Sequence, residues 1–237
     1  MKRRLVAFAA PALALSLVVT PGLEAAPPSR CGPVSEPLVA ALVKQAPGLH
    51  TEVLRMALEA SGCASGRGLV RRPELLTVID YSRPSTEPRM FVFDLRAKKI
   101  LFREHVAHGV GSGGNVPNQF SNTPSSRQTS LGLFVTQESY VGANGYSLRL
   151  RGLEKGVNDR ARERAIVMHG APYVNPAAAR AQGRLGRSWG CPAVRSAVAR
   201  KMIDTIKGGS PIFAYYPERS WLASSGFLSV DTATFGS

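Results

Sequence analysis

Between Ile166 and Arg195 the chain carries the residue types that an acyl-transfer site requires. Cys191 lies in the run Gly186-Arg187-Ser188-Trp189-Gly190-Cys191-Pro192, and His169-Gly170 ends a short apolar stretch 22 residues earlier. A thiol attacks only as its thiolate, so a catalytic cysteine needs a base and a positive environment. His169 can be that base, because imidazole titrates near neutrality. Pro192, followed by a helical pattern, would put Cys191 near a helix start, where free N–H groups favour an anion. Gly190 allows close backbone approach and can turn N–H groups toward a tetrahedral oxyanion; Ser188, Trp189 and Gly170 are the neighbours expected to shape that site. His108, Arg187 and Arg195 are candidate substrate contacts, and a buried structural role is the alternative for each lone cysteine or histidine. A zinc site built from His105, His108, His169 and Cys191 is conceivable, but it lacks recognisable ligand spacing, which argues against a metal.

These side chains need a scaffold. Leu38, Leu42 and Val43, then Val53, Leu54, Ala57 and Leu58, recur at helical spacing and predict two helices split at Pro47-Gly48, with Ser35 capping the first and Gly62 closing the second. An antiparallel pair would bring Cys31 and Cys63 together as a disulfide and leave Cys191 free; two unpaired thiols are the alternative. The period then shortens, and Leu75–Asp80, Met90–Asp94, Ile100–Val106, Leu131–Val135, Tyr146–Leu150, Ala165–Met168 and Ile212–Tyr216 read as strands. Residues 109 to 126 break every period and predict a long functional loop. Arg195–Ile206 reads as a helix ended by Gly208-Gly209, and Ser220–Ser237 has no pattern.

The chain has 237 residues, 30 Lys and Arg against 16 Asp and Glu, and a formal charge of +14. Lys2, Arg3 and Arg4 precede an apolar run to Thr20, which reads as a signal peptide cut after Ala25. An uncleaved anchor is the alternative, although the run is short and Pro-interrupted for a membrane span. Export to the periplasm or cell wall follows, and there a basic protein meets wall polymers and acidic lipids. The bases are scattered, without an aromatic ladder, which argues against nucleic acid.

His169-Gly170 with Ser188-Trp189-Gly190-Cys191 resembles the H-G…S-x-G-C signature of L,D-transpeptidases of the YkuD-like fold. Val106-Ala107-His108-Gly109, Phe120-Ser121-Asn122, Ser130-Leu131-Gly132, Gly152-Leu153-Glu154, Arg164 to Gly170 and Gly186 to Ala193 resemble the murein L,D-transpeptidase branch, from about Leu75 to Pro217. The resemblance implies a mainly β, sandwich-like catalytic domain over 73–217, after a signal peptide (1–25) and a helical region (26–72) and before a tail (218–237). It implies attack by Cys191 on the L,D bond after the third residue of a peptidoglycan stem peptide, a thioester, and transfer to an amine to give a three-to-three crosslink. Carbapenem acylation and chemistry without a metal or organic cofactor are family expectations, and water as acceptor would give a carboxypeptidase. Better-known members carry a second histidine where Trp189 stands and an arginine where Ala193 stands. A basic wall-binding protein without catalysis is the non-enzymatic alternative.

Overall fold

A computed structural model describes residues 31–229, so the expected signal peptide, its expected cleavage after Ala25 and the last eight residues lie outside the described residues. Helices α1 (Glu36–Val43) and α2 (Thr51–Gly66) turn Val39, Leu42, Val53, Leu54 and Ala57 inward, as their spacing requires. Ser35 precedes α1 without a side-chain cap bond, and Pro37 occupies its first turn. Gly62 does not close α2. Cys63 and Ala64 continue its buried face, which outweighs the roughly 1 kcal/mol that a helical glycine costs. Cys31 and Cys63 form a disulfide with Cα atoms 4.6 Å apart.

The other elements in chain order are β1 (Leu75–Asp80), β2 (Met90–Asp94), β3 (Lys99–Glu104), β4 (Val106–Ala107), β5 (Gly132–Gly142), β6 (Gly145–Gly152), β7 (Val167–Ala171), α3 (Pro176–Gln182), β8 (Ala193–Arg195), α4 (Ser196–Ile206), β9 (Pro211–Tyr215) and α5 (Arg219–Ser224). The nine strands form one sheet in the order β3-β2-β1-β9-β5-β6-β7-β8-β4. Its two edge strands are consecutive in the chain, with only His105 between them, so the sheet curls toward a barrel. The expected single strand Ile100–Val106 is thus broken at the corner, where His105 Nε2 and Thr86 O lie 3.1 Å apart. Strand β9 joins the middle of the sheet, parallel to β1 and antiparallel to β5.

The helical pair is not a separate body. Leu42, Leu54 and Ala57 share one core cluster with Leu76, Val78, Phe91, Leu133 and Ile212. Each such Leu or Ile, fully buried, contributes about 1.5–3 kcal/mol. No helix among the described residues is long and apolar enough to cross a membrane.

Two helices were not expected from the sequence. In α3, Asn175 accepts from the Ala177 and Ala178 N–H groups, Pro176 starts the first turn, and Gly183 ends the helix at φ 74°. In α5, at the start of the stretch expected to be unstructured, Trp221 and Leu222 are buried. The indole packs 5.7 Å from the Phe213 ring and donates to Glu154 Oε2 at 3.1 Å. Glu154 Oε1 also accepts from the Leu133 N–H, so this buried carboxylate is held by two elements at once.

Candidate active site

His169 lies in the middle of β7, and Cys191 precedes β8 by two residues. The two strands pair in parallel, with His169 opposite Ala193. A parallel pair needs a long crossover, and residues 172–192, carrying α3, supply it. This accounts for the 22-residue interval between the two side chains.

The imidazole is 4% exposed, and its Nδ1 sits 3.0 Å from the Gly170 carbonyl oxygen. A carbonyl only accepts, so Nδ1 carries the hydrogen and Nε2 keeps a free lone pair. Among the described residues Nε2 has no hydrogen-bond partner. Burial draws the pKa of His169 below the usual imidazole value, and the Gly170 carbonyl opposes this. The side chain is therefore a neutral base at neutral pH.

Cys191 is a free thiol, 9% exposed. Its Sγ donates to Ala165 O at 3.7 Å, so in this resting arrangement the thiol points at backbone and must leave it to reach Nε2. Burial pushes the thiol pKa up, while the Val167 N–H and the Arg164 charge favour the thiolate. Ala165 adopts φ 52°, a left-handed conformation that costs a residue with a Cβ about 1 kcal/mol or more. Its carbonyl meets the thiol from there.

The expected helix start at Cys191 is not found. Strand β8 intervenes, and α4 begins only at Ser196. The turn that bears Cys191 is instead knitted by the Ser188 side chain. Ser188 Oγ accepts from the Gly190 N–H at 3.1 Å and donates to Cys191 O at 2.6 Å. Gly190 has φ 119°, and a Cβ there would meet Gln128 O at 2.8 Å. Its N–H is thus already engaged, and among the described residues the Cys191 N–H is the donor beside the thiol with no protein acceptor.

The long loop forms the opposite wall. Val110 N donates to Ser188 O and Ser188 N to His108 O, a short ladder that seats the Cys191 turn against residues 108–110. A Cβ on Gly109 would lie 2.9 Å from the Gly190 backbone, which explains the glycine. Thr129 Oγ1 accepts from the Gly109 N–H and lies 3.4 Å from Gly190 O.

The remaining candidates separate by what they touch. Trp189 stands 74% exposed at the lip of the site, with the Arg127 guanidinium 4.7 Å from its ring centre. Arg187 donates to Gly113 O. Arg195 is committed to both oxygens of Glu104, at 2.8 and 2.6 Å, a geometry that serves the β3 end rather than an open site. His108 is 1% exposed, and its Nδ1 lies 2.7 Å from Arg89 Nη2. Gly170 packs under α4, where a Cβ would meet the Ala199 methyl at 2.8 Å. Among the described residues no group of three His, Cys, Asp or Glu side chains is arranged to hold a metal ion.

Sequence reasoning passed over Thr129, Ala165 and Tyr173. The Tyr173 phenol senses the same site, its pKa pushed to about 12 by burial first and by negative charge at Cys191 second. Its position four residues after His169 was the available signal.

The sequence model of the L,D-transpeptidase catalytic domain matches residues 45–215, taking in α2 as well as the sheet. No curated protein matches the chain in sequence. Among solved structures, an L,D-transpeptidase from Mycobacterium smegmatis is 16% identical, with 60% of this chain and 59% of that one covered and a TM-score of 0.37. L,D-transpeptidase 1 from Mycobacterium tuberculosis is 15% identical over 60% and 62%, with a TM-score of 0.34. An L,D-transpeptidase from Xylanimonas cellulosilytica is 14% identical over 78% and 96%, with a TM-score of 0.35. The chain thus spans about three fifths of the length of the mycobacterial proteins.

Proposed function

Because this chain belongs to the L,D-transpeptidase catalytic domain family, we propose that it is an exported cysteine acyltransferase acting on peptidoglycan stem peptides. The observation that carries the reading is the pairing of β7 with β8, which sets a tautomer-fixed histidine beside the turn that bears the free thiol. His169 Nε2 takes the Cys191 proton, and the thiolate attacks the carbonyl carbon of the L,D bond after the third stem residue. The Cys191 N–H faces the oxyanion so formed. The imidazolium then protonates the departing D-alanine amine, leaving a thioester. An amine from a second stem attacks the thioester, returns its proton through His169, and frees the thiol. The exposed Trp189 and Arg127 flank the side from which that acceptor arrives. Export places the enzyme in the periplasm or wall, where its positive charge favours the anionic polymer.

The test is intact mass of the mature protein after a carbapenem, beside Cys191→Ala. An adduct on wild type alone supports the reading; none on wild type overturns it. Incubation with tetrapeptide-bearing muropeptides then separates crosslinked dimer, expected here, from tripeptide, the product of a hydrolase, and from no product, as a wall-binding protein would give.

A further inference from the structure

Arg164 immediately precedes the left-handed Ala165 and carries a half-buried guanidinium behind the nucleophile turn. Nη1 donates to Ser121 O and Ser130 Oγ; Nη2 donates to Ser126 Oγ at 3.1 Å and Gln128 O at 2.7 Å. Its Nε is buried without an acceptor. All four acceptors are neutral, and among the described residues no carboxylate lies within ion-pair distance. The nearby arginines differ: Arg160 pairs with Glu163, and Arg149 and Arg162 share Glu138.

Withdrawing a guanidinium from water without an opposite charge is costly, and the cost falls when an anion forms nearby. The anion available here is the Cys191 thiolate, whose thiol rests on the carbonyl of the very next residue, Ala165. The Gln128 carbonyl that Nη2 holds is also the atom against which Gly190 packs. We propose that Arg164 is a positioning residue for Cys191, its unpaired charge reserved for the thiolate and its hydrogen bonds fixing the wall behind Gly190. Burial lowers the guanidinium pKa and negative charge at Cys191 works against that shift, as the Arg164 charge works against burial at the thiol. This inference rests on Cys191 being the nucleophile of the proposed function.

The decisive measurement is the pH dependence of iodoacetamide alkylation of Cys191 in the disulfide-intact protein, where the other two cysteines are bonded. In Arg164→Gln the midpoint should rise by about one pH unit and alkylation at neutral pH should slow about tenfold. Arg164→Lys, which keeps the charge, should restore most of the wild-type midpoint. Ser126→Asp keeps the arginine but replaces one of its neutral acceptors, the Ser126 hydroxyl, with a carboxylate beside Nη2, and should raise the midpoint as well. That second variant decides the matter if Arg164→Gln does not fold. Unchanged midpoints in Arg164→Gln and Ser126→Asp, with only a uniform loss of rate or melting temperature, would reduce Arg164 to a loop tether. Such a result alongside normal carbapenem acylation of wild type overturns the Arg164 assignment alone; absence of the wild-type adduct overturns the acyltransferase reading instead.

Discussion

The chain contains two His-Gly pairs, each at a strand and each buried, and they have opposite electronic states. At His169 the neighbouring carbonyl takes the Nδ1 hydrogen and leaves Nε2 open. At His108 the Arg89 guanidinium donates to Nδ1, so the only hydrogen sits on Nε2, 3.5 Å from Gly113 O. Arg89 is fully buried, donates also to Val106 O and Arg83 O, and lies over the Tyr81 ring. Burial and that fixed positive charge drive the His108 pKa to about 3. His169, without a cation against it, is shifted in the same direction by burial and keeps a usable lone pair. What separates a ring with an open Nε2 from one locked in place is the atom facing Nδ1.

Substitutions at the two pairs test that contrast. His169→Ala should reduce acylation by about a thousandfold, measured as the rate of carbapenem adduct formation, with the melting temperature little changed. Arg89→Met should cost about 3–5 kcal/mol in denaturant unfolding, because it takes the guanidinium donors from buried His108 Nδ1, the buried Val106 carbonyl and the half-buried Arg83 carbonyl. His108→Asn should cost about 1–3 kcal/mol and retain most of the acylation rate. It should also change the acid limb of stability. Since His108 has a lower pKa folded than unfolded, the unfolded chain binds the extra proton, and wild type should lose stability as pH falls from about 6.5 toward 3. The asparagine variant should lose less over that window, as read by melting temperature against pH. Gly170→Ala should have the smallest effect, about 1 kcal/mol of stability through the Ala199 contact, with the pH profile unaltered. Equal losses of acylation at His108 and His169 would abolish the distinction.

The state of His108 could not be read from its own neighbourhood in the chain, since Arg89 is nineteen residues away, whereas the carbonyl that fixes His169 belongs to the next residue. The strands were legible because alternating or continuous apolar runs such as Phe91-Val92-Phe93 have no other stable use, and the helical spacing of Leu42 to Leu58 was equally plain. Asn175-Pro176 and Gly183 were readable signals for α3, masked by the Ala-rich polarity of the segment between them. Helix α5 rests on Trp221 reaching Glu154, a pairing across 67 residues that no local pattern carries. That Cys191 would be the free thiol was legible from the pairing expected of Cys31 and Cys63. Its approach by strand rather than helix was not, because Ala193-Val194-Arg195 is too short to show a period.

The position of β9 has a consequence for how the molecule is made. The last strand of the sheet lies between β1 and β5, bridging the earliest and the middle thirds of the chain. Until residue 215 is available, β1 and β5 each present a bare row of backbone donors and acceptors, and no local pairing can satisfy them. Folding must wait for a contact spanning well over a hundred residues, which makes it slow and leaves the waiting chain open to aggregation. A chain crossing a membrane before it folds would be held in that state by its own topology.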